Sequence, residues 1–98
     1  MSELNIPSTG LTFVKFGAEW CGPCKMLDKS FIEIEKTDSI NVMKYDIDEE
    51  PDLAAKFDVM SVPTVLVYKD AEYVGKFVGA VPVAFIRNVI AGTATLTK

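Results

Sequence analysis

The sequence predicts an α/β fold: one domain of three layers, with helices flanking a mixed sheet built from a parallel core and a C-terminal antiparallel hairpin. Three observations predict it. Apolar runs rich in β-forming residues alternate with segments whose apolar residues recur every three or four positions, the pattern of strands separated by helices. The last two apolar runs are joined only by Lys69-Asp70-Ala71-Glu72, a link too short for a parallel crossover. The chain has 98 residues, 49% hydrophobic and 24% charged, which suits one hydrophobic core and argues against disorder.

Each element has its own signal. Leu11 to Phe16 reads as a strand, entered through the turn-like Pro7-Ser8-Thr9-Gly10, and a short strand is expected near Leu4–Ile6. After Cys21 the period changes. Cys24, Leu27, Phe31 and Ile34 recur at helical spacing with charged residues between them, giving an amphipathic helix. Ile40 to Ile47 is a second strand. Asp48-Glu49-Glu50-Pro51-Asp52 combines an acidic cap, a first-turn proline and carboxylates at the positive dipole end, and so begins a short helix with Leu53, Ala54 and Phe57 inward. Thr64 to Tyr68 is nearly all apolar, as a strand buried on both faces should be. Tyr73 to Val78 is its hairpin partner. Pro82 opens a final helix with Phe85, Ile86, Val89 and Ile90 inward and Gly92 at its end, and Thr93 to Lys98 is expected to fray. With helices between the first three strands, right-handed parallel crossovers are expected among all three.

Composition excludes several functions. Ten Lys+Arg stand against 14 Asp+Glu, a net charge of −4, and no basic run provides a nucleic-acid surface. No apolar stretch reaches the roughly 20 residues of a membrane span. Met1-Ser2-Glu3-Leu4-Asn5 lacks the basic and apolar regions of a signal peptide, so a cytoplasmic protein is expected; a monomer is expected as well, though nothing in the sequence fixes the oligomeric state. Two cysteines cannot form a disulfide-rich secreted scaffold, and in the cytosol a lone pair is more often functional than structural.

Both cysteines lie in Trp20-Cys21-Gly22-Pro23-Cys24-Lys25, at a strand-to-helix junction. Cys21 should sit at the exposed helix N-terminus, with Cys24 one turn deeper on the same side. The dipole and free N–H groups of the helix end lower the pKa of the first thiol, which makes Cys21 the expected nucleophile and Cys24 the resolving thiol. Structural zinc competes poorly, since two Cys and no His supply half of a four-ligand set, and no metal is expected. A staple across so small a loop constrains little. Two incidental buried cysteines remain open on spacing alone.

The motif, however, resembles the active site of the thioredoxin family, and matches run along nearly the whole chain. Ala18-Glu19 precede it, Val42 to Asp48 with Lys44 resembles the family's second core strand, Val62-Pro63-Thr64 its cis-proline loop and Val78-Gly79-Ala80 the glycine loop facing the active site. The resemblance implies a thioredoxin-like three-layer fold with the usual first helix missing, because only about a dozen residues precede the first strand. It implies a cis bond before Pro63, and a shallow apolar groove of Trp20, Gly22, Pro23, Val62, Pro63, Gly79 and Ala80 for protein substrates. Trp20 in the core is the alternative. It implies a protein-disulfide reductase with no bound cofactor, drawing electrons from NADPH through a thioredoxin reductase-type flavoprotein, with ribonucleotide reductase among possible clients. Gly22-Pro23, in place of the His found in oxidising relatives, implies the reducing end of a span of about 150 mV. A dedicated glutaredoxin-like donor and a redox-independent binding subunit are the alternatives.

Lys15 departs from the resemblance, which expects a buried Asp there. It either snorkels to water, favours a Cys24 thiolate as an ammonium, or takes the Cys24 proton as a desolvated amine. Lys44 on the neighbouring strand crowds the same region, and Asp46, of matching strand parity, is expected to compensate the two charges.

Overall fold

Thr12 to Gly17 are all buried, which is why this stretch is apolar on both faces, and they belong to the central strand β1 (Leu11–Gly17). The computed structural model describes residues 4–98. After β1 come α1 (Gly22–Glu35), β2 (Asn41–Asp46), α2 (Pro51–Lys56), β3 (Thr64–Lys69), β4 (Glu72–Val78) and α3 (Val83–Ala91). The elements follow the expected order, and among the described residues no helix precedes β1.

Strand alternation divides the core in two. On one face Phe13 of β1 packs with Leu27, Phe31 and Ile34 of α1, Val65 and Val67 of β3, and Ile86 and Val89 of α3. On the other, Val14 and Phe16 meet Leu66, with Leu53 of α2 and Phe57 just after that helix against them. Lys15 shares the parity of Phe13. It therefore faces α1, and so the cysteines.

The sheet order is β2-β1-β3-β4. Only β1 and β2 are parallel. β3 runs antiparallel to β1, with Thr64 opposite Phe16, so the expected parallel crossover between the second and third strands does not form. The six residues of α2 advance only about 9 Å, less than half of the roughly 20 Å along a strand of that many residues, and the loops on either side of it do not carry the chain the rest of the way back. The chain instead enters β3 at the end where β1 and β2 finish.

Two smaller expectations change. Residues 4–7 form no strand. Pro7 has no N–H for a ladder, and Leu4 and Ile6 pack onto the α2-side core. The C-terminal tail does not fray: Lys76 and Thr97 exchange both backbone hydrogen bonds, at 2.7 and 3.0 Å. Gly75 permits this docking, because a Cβ there would stand 2.6 Å from that of Leu96. At the hairpin tip Asp70 and Ala71 have φ of 51° and 69°. Two positive φ values are the mark of a type I′ turn. The tip is tied to the start of β1 by Gly10 N–H donating to Asp70 Oδ1 at 2.8 Å.

Candidate active site

β1 ends at Gly17, and a tight turn closed by Cys21 N–H donating to Ala18 O (3.2 Å) delivers Cys21 to the N-cap of α1. Its φ and ψ of −92° and 108° are extended, and its Sγ accepts from Cys24 N–H at 3.1 Å, doing for the helix what a capping hydroxyl does. Pro23 in the first turn is preset for the helix. Cys21 and Cys24 are joined in a disulfide.

The expected contrast in exposure is absent in this oxidised form: Cys21 is 4% exposed and Cys24 2%. Bonded to each other and packed with Ala18, Ile47 and Val62, both side chains have little surface left to water.

The remaining groove residues converge on this end of the sheet. The Val62–Pro63 bond is cis. Pro63 is buried and its carbonyl accepts from Gly79 N–H at 2.9 Å, linking the two loops that the resemblance assigns to the site. Gly79 has a φ of 102°, a conformation that favours glycine. Gly22, Pro23 and Ala80 are exposed and Val62 is half-buried against the cysteines. Trp20 is not in the core. It is 68% exposed, and its Nε1 donates to Asp48 Oδ2 at 2.9 Å. The N-cap of α2 is Glu50, an acidic residue as expected, although its side chain makes no cap hydrogen bond.

Lys15 does not snorkel. Its side chain is 5% exposed and its Nζ lies 2.9 Å from Asp28 Oδ1. Lys44 Nζ, on a side chain 60% exposed, lies 3.6 Å from Asp28 Oδ2. Asp28, not Asp46, thus answers both ammoniums. Asp46 is occupied in the turn after β2, where its Oδ1 accepts from Asp48 N–H at 2.7 Å. A Cβ on Gly17 would stand 3.0 Å from Lys15 Nζ and 3.2 Å from Cys24 Sγ, so the ammonium and the sulfur are no further apart than those two lengths laid end to end. A cavity of about 340 Å³, lined in part by Lys15, Cys24, Asp28 and Lys44, opens this region to solvent.

Sequence reasoning does not single out Asp28 or Gly17. The signal for Asp28 is its place four residues after Cys24, on the same helix side, together with the need of a buried ammonium for a carboxylate. Gly17 gives none, because its importance lies in what approaches it. Among the described residues no group of three or more His, Cys, Asp or Glu is placed to hold a metal, and no helix is long and apolar enough to cross a membrane.

A sequence model described as thioredoxin matches residues 2–92. The chain belongs to the thioredoxin family. It is 47% identical over 88 residues to the thioredoxin of Staphylococcus saprophyticus, spanning 88% of this chain and 84% of that one. It is 40% identical to that of Staphylococcus aureus, over 84% and 81% of the two chains. Among solved structures, a mutant thioredoxin from Halobacterium salinarum superposes with a TM-score of 0.79 at 30% identity, over 92% of this chain and 80% of that one. Oxidised mitochondrial thioredoxin 3 from Saccharomyces cerevisiae gives 0.74 at 34% identity, over 86% and 79%. With the family and the Cys21–Cys24 pair together, the protein is a dithiol–disulfide oxidoreductase. Thioredoxins act on disulfide-bearing proteins and are returned to the dithiol by a reductase partner, and their thiol chemistry needs no bound cofactor.

Proposed function

We propose that the protein works in the reducing direction, with Cys21 as attacking thiolate and Cys24 as resolving thiol. The N-cap position of Cys21, whose sulfur accepts from Cys24 N–H, supports this order of attack. The same N–H and the helix dipole stabilise a thiolate at that sulfur. In the first step Cys21 Sγ attacks one sulfur of a substrate disulfide and the other leaves as thiolate. In the second, Cys24 Sγ, its proton lost to water, attacks Cys21 Sγ. The Cys21–Cys24 bond forms, the mixed disulfide breaks, and the second substrate sulfur leaves as thiolate. Two electrons pass from the protein pair to the substrate.

Gly22 and Pro23 between the cysteines favour the reducing direction, since neither adds a cation that would stabilise the reduced form. Trp20, Gly22, Pro23, Val62, Pro63, Gly79 and Ala80 form the surface that receives an extended substrate segment. Lys15, beside Cys24, favours its thiolate. The protein acts as a cytoplasmic monomer, with electrons from NADPH through a thioredoxin reductase-type flavoprotein and ribonucleotide reductase as one client.

Single cysteine variants test the order of attack. Cys24→Ser should accumulate mixed disulfides with protein substrates at Cys21, and Cys21→Ser should neither reduce nor trap them. Trapping by Cys21→Ser instead would reverse the assignment. Turnover by a thioredoxin reductase, with a measured reduction potential, tests direction. A strongly oxidising potential would overturn it.

A further inference from the structure

In the oxidised protein Cys24 carries no charge, and among the described residues the buried ammonium behind it is answered by Asp28 alone. Lys15 and Lys44 present two ammoniums to the single carboxylate of Asp28. Other ionisable groups line the same cavity, and none of them is as buried as Lys15. The Asp46 carboxylate accepts from Asp48 N–H. Glu19, Lys25 and Glu49, from the loops and the first turn of α1, are exposed and screened by water. The Tyr45 ring stacks on Phe16, on the far face of the sheet. One buried ammonium, Lys15, therefore sits with Asp28 on one side and the Cys24 sulfur on the other.

We propose that Lys15 exchanges partners during the cycle. It pairs with Asp28 while Cys24 is in a disulfide or a neutral thiol, and with the Cys24 thiolate when that sulfur attacks. This rests on Cys24 being the resolving thiol. Loss of the Cys24 proton to water in the adjoining cavity leaves two anions, Asp28 and Cys24, facing two cations, Lys15 and Lys44. Ionisation thus offers the buried ammonium of Lys15 a second anion, on the side away from water. The separation of Lys15 and Cys24, no more than the 3.0 and 3.2 Å to a Cβ on Gly17 laid end to end, is close enough for an opposite charge to favour an ionised form. Lys44, reaching Asp28 from the edge strand, holds the carboxylate when Lys15 turns away. Asp28 is a positioning residue here: it competes with the thiolate for Lys15 and so sets the pH at which Cys24 becomes nucleophilic.

The test uses full-length Cys21→Ser protein, in which Cys24 is the sole thiol, and follows its rate of alkylation by iodoacetamide against pH. Asp28→Asn, which frees Lys15 for the sulfur, should move the profile to lower pH, raising the rate below the midpoint by about tenfold. Lys15→Met should move it to higher pH by a similar factor. With Lys15→Met already present, adding Asp28→Asn should change the rate by less than about twofold, because its effect passes through the ammonium. Shifts in the same direction for the two single variants would overturn the exchange. So would an Asp28→Asn effect that persists undiminished without Lys15, since Asp28 would then act on the sulfur directly. Should Lys15→Met not fold, Lys15→Gln takes its place in the same cycle, and a shift to higher pH in Asp28→Asn would by itself overturn the proposal, since the carboxylate would then assist ionisation. These outcomes are independent of adduct trapping by Cys24→Ser, so failure of the order of attack and failure of the exchange are told apart.

Discussion

Lys15 Nζ lies 2.9 Å from Asp28 Oδ1, joining the central strand to the active-site helix at the level of Cys24. The two partners are not equally placed. Lys15 is shut off from water, whereas Asp28 is 30% exposed and shared with Lys44. Removing one partner therefore differs from removing the other. Asp28→Ala leaves a buried ammonium without its carboxylate and should destabilise the oxidised protein by about 2 kcal/mol, below the usual range for breaking a buried pair because of the carboxylate's exposure. Lys15→Met removes the buried charge itself while keeping an unbranched chain of similar length, and should stay within about 1 kcal/mol of the parent. Urea unfolding of the two variants checks the asymmetry; equal losses would contradict it.

Trp20 is the only tryptophan, so its emission reports on one site. Its indole is held at the surface by Asp48 rather than by packing. Asp48→Ala should lower the steady-state fluorescence anisotropy of Trp20 by freeing the ring, and change stability by no more than about 0.5 kcal/mol, as for an exposed hydrogen bond. An unchanged anisotropy would mean that other contacts fix the indole.

Ala71 occupies the second central position of the β3–β4 hairpin turn with a φ of 69°, where a Cβ is strained. Ala71→Gly should raise the urea midpoint, a gain of about 0.5–1 kcal/mol, the relief of strain exceeding the greater chain entropy of glycine in the unfolded state. A lower midpoint would show that the turn tolerates alanine without strain.

Tyr68 and Tyr73 meet edge to face at 5.5 Å between ring centroids, on the α2 side of the sheet. Burial raises the pKa of Tyr68 above its usual 10.0, and the neighbouring Tyr73 phenolate adds to the rise. Burial raises that of Tyr73 as well. The folded state thus keeps protons that the unfolded chain releases. Their contribution is full below the unfolded value and is lost as pH rises through the folded one. Urea midpoints measured above about pH 9 should fall less steeply with pH in Tyr68→Phe than in the parent.

The helices were legible because their buried faces repeat at a fixed period: Cys24, Leu27, Phe31 and Ile34 line α1 inward as their spacing requires. The dithiol was legible because its chemistry is local, set by two cysteines and one helix end. The direction of β3 was not, because periodicity marks a strand but not its sense. The partner of Lys15 was not, because Asp28 comes from another element and its selection over Asp46 depends on how α1 lies across β1. The docked tail was not, because Thr97 and Lys76 lie far apart in the chain and meet only in space, at the edge of β4.

An α/β domain with a helix-capping dithiol, whose residues also carry the resemblance to thioredoxins, is already written in the order of residues. Short-range forces explain this, since apolar period, turn residues and a thiol at a helix start act within a few positions of the chain. What stands behind Cys24 depends on the folded arrangement instead. A buried ammonium must find its counter-charge in space, and the carboxylate that meets it is fixed by the packing of α1 on β1, with Gly17 leaving the room in which Lys15 and the sulfur approach.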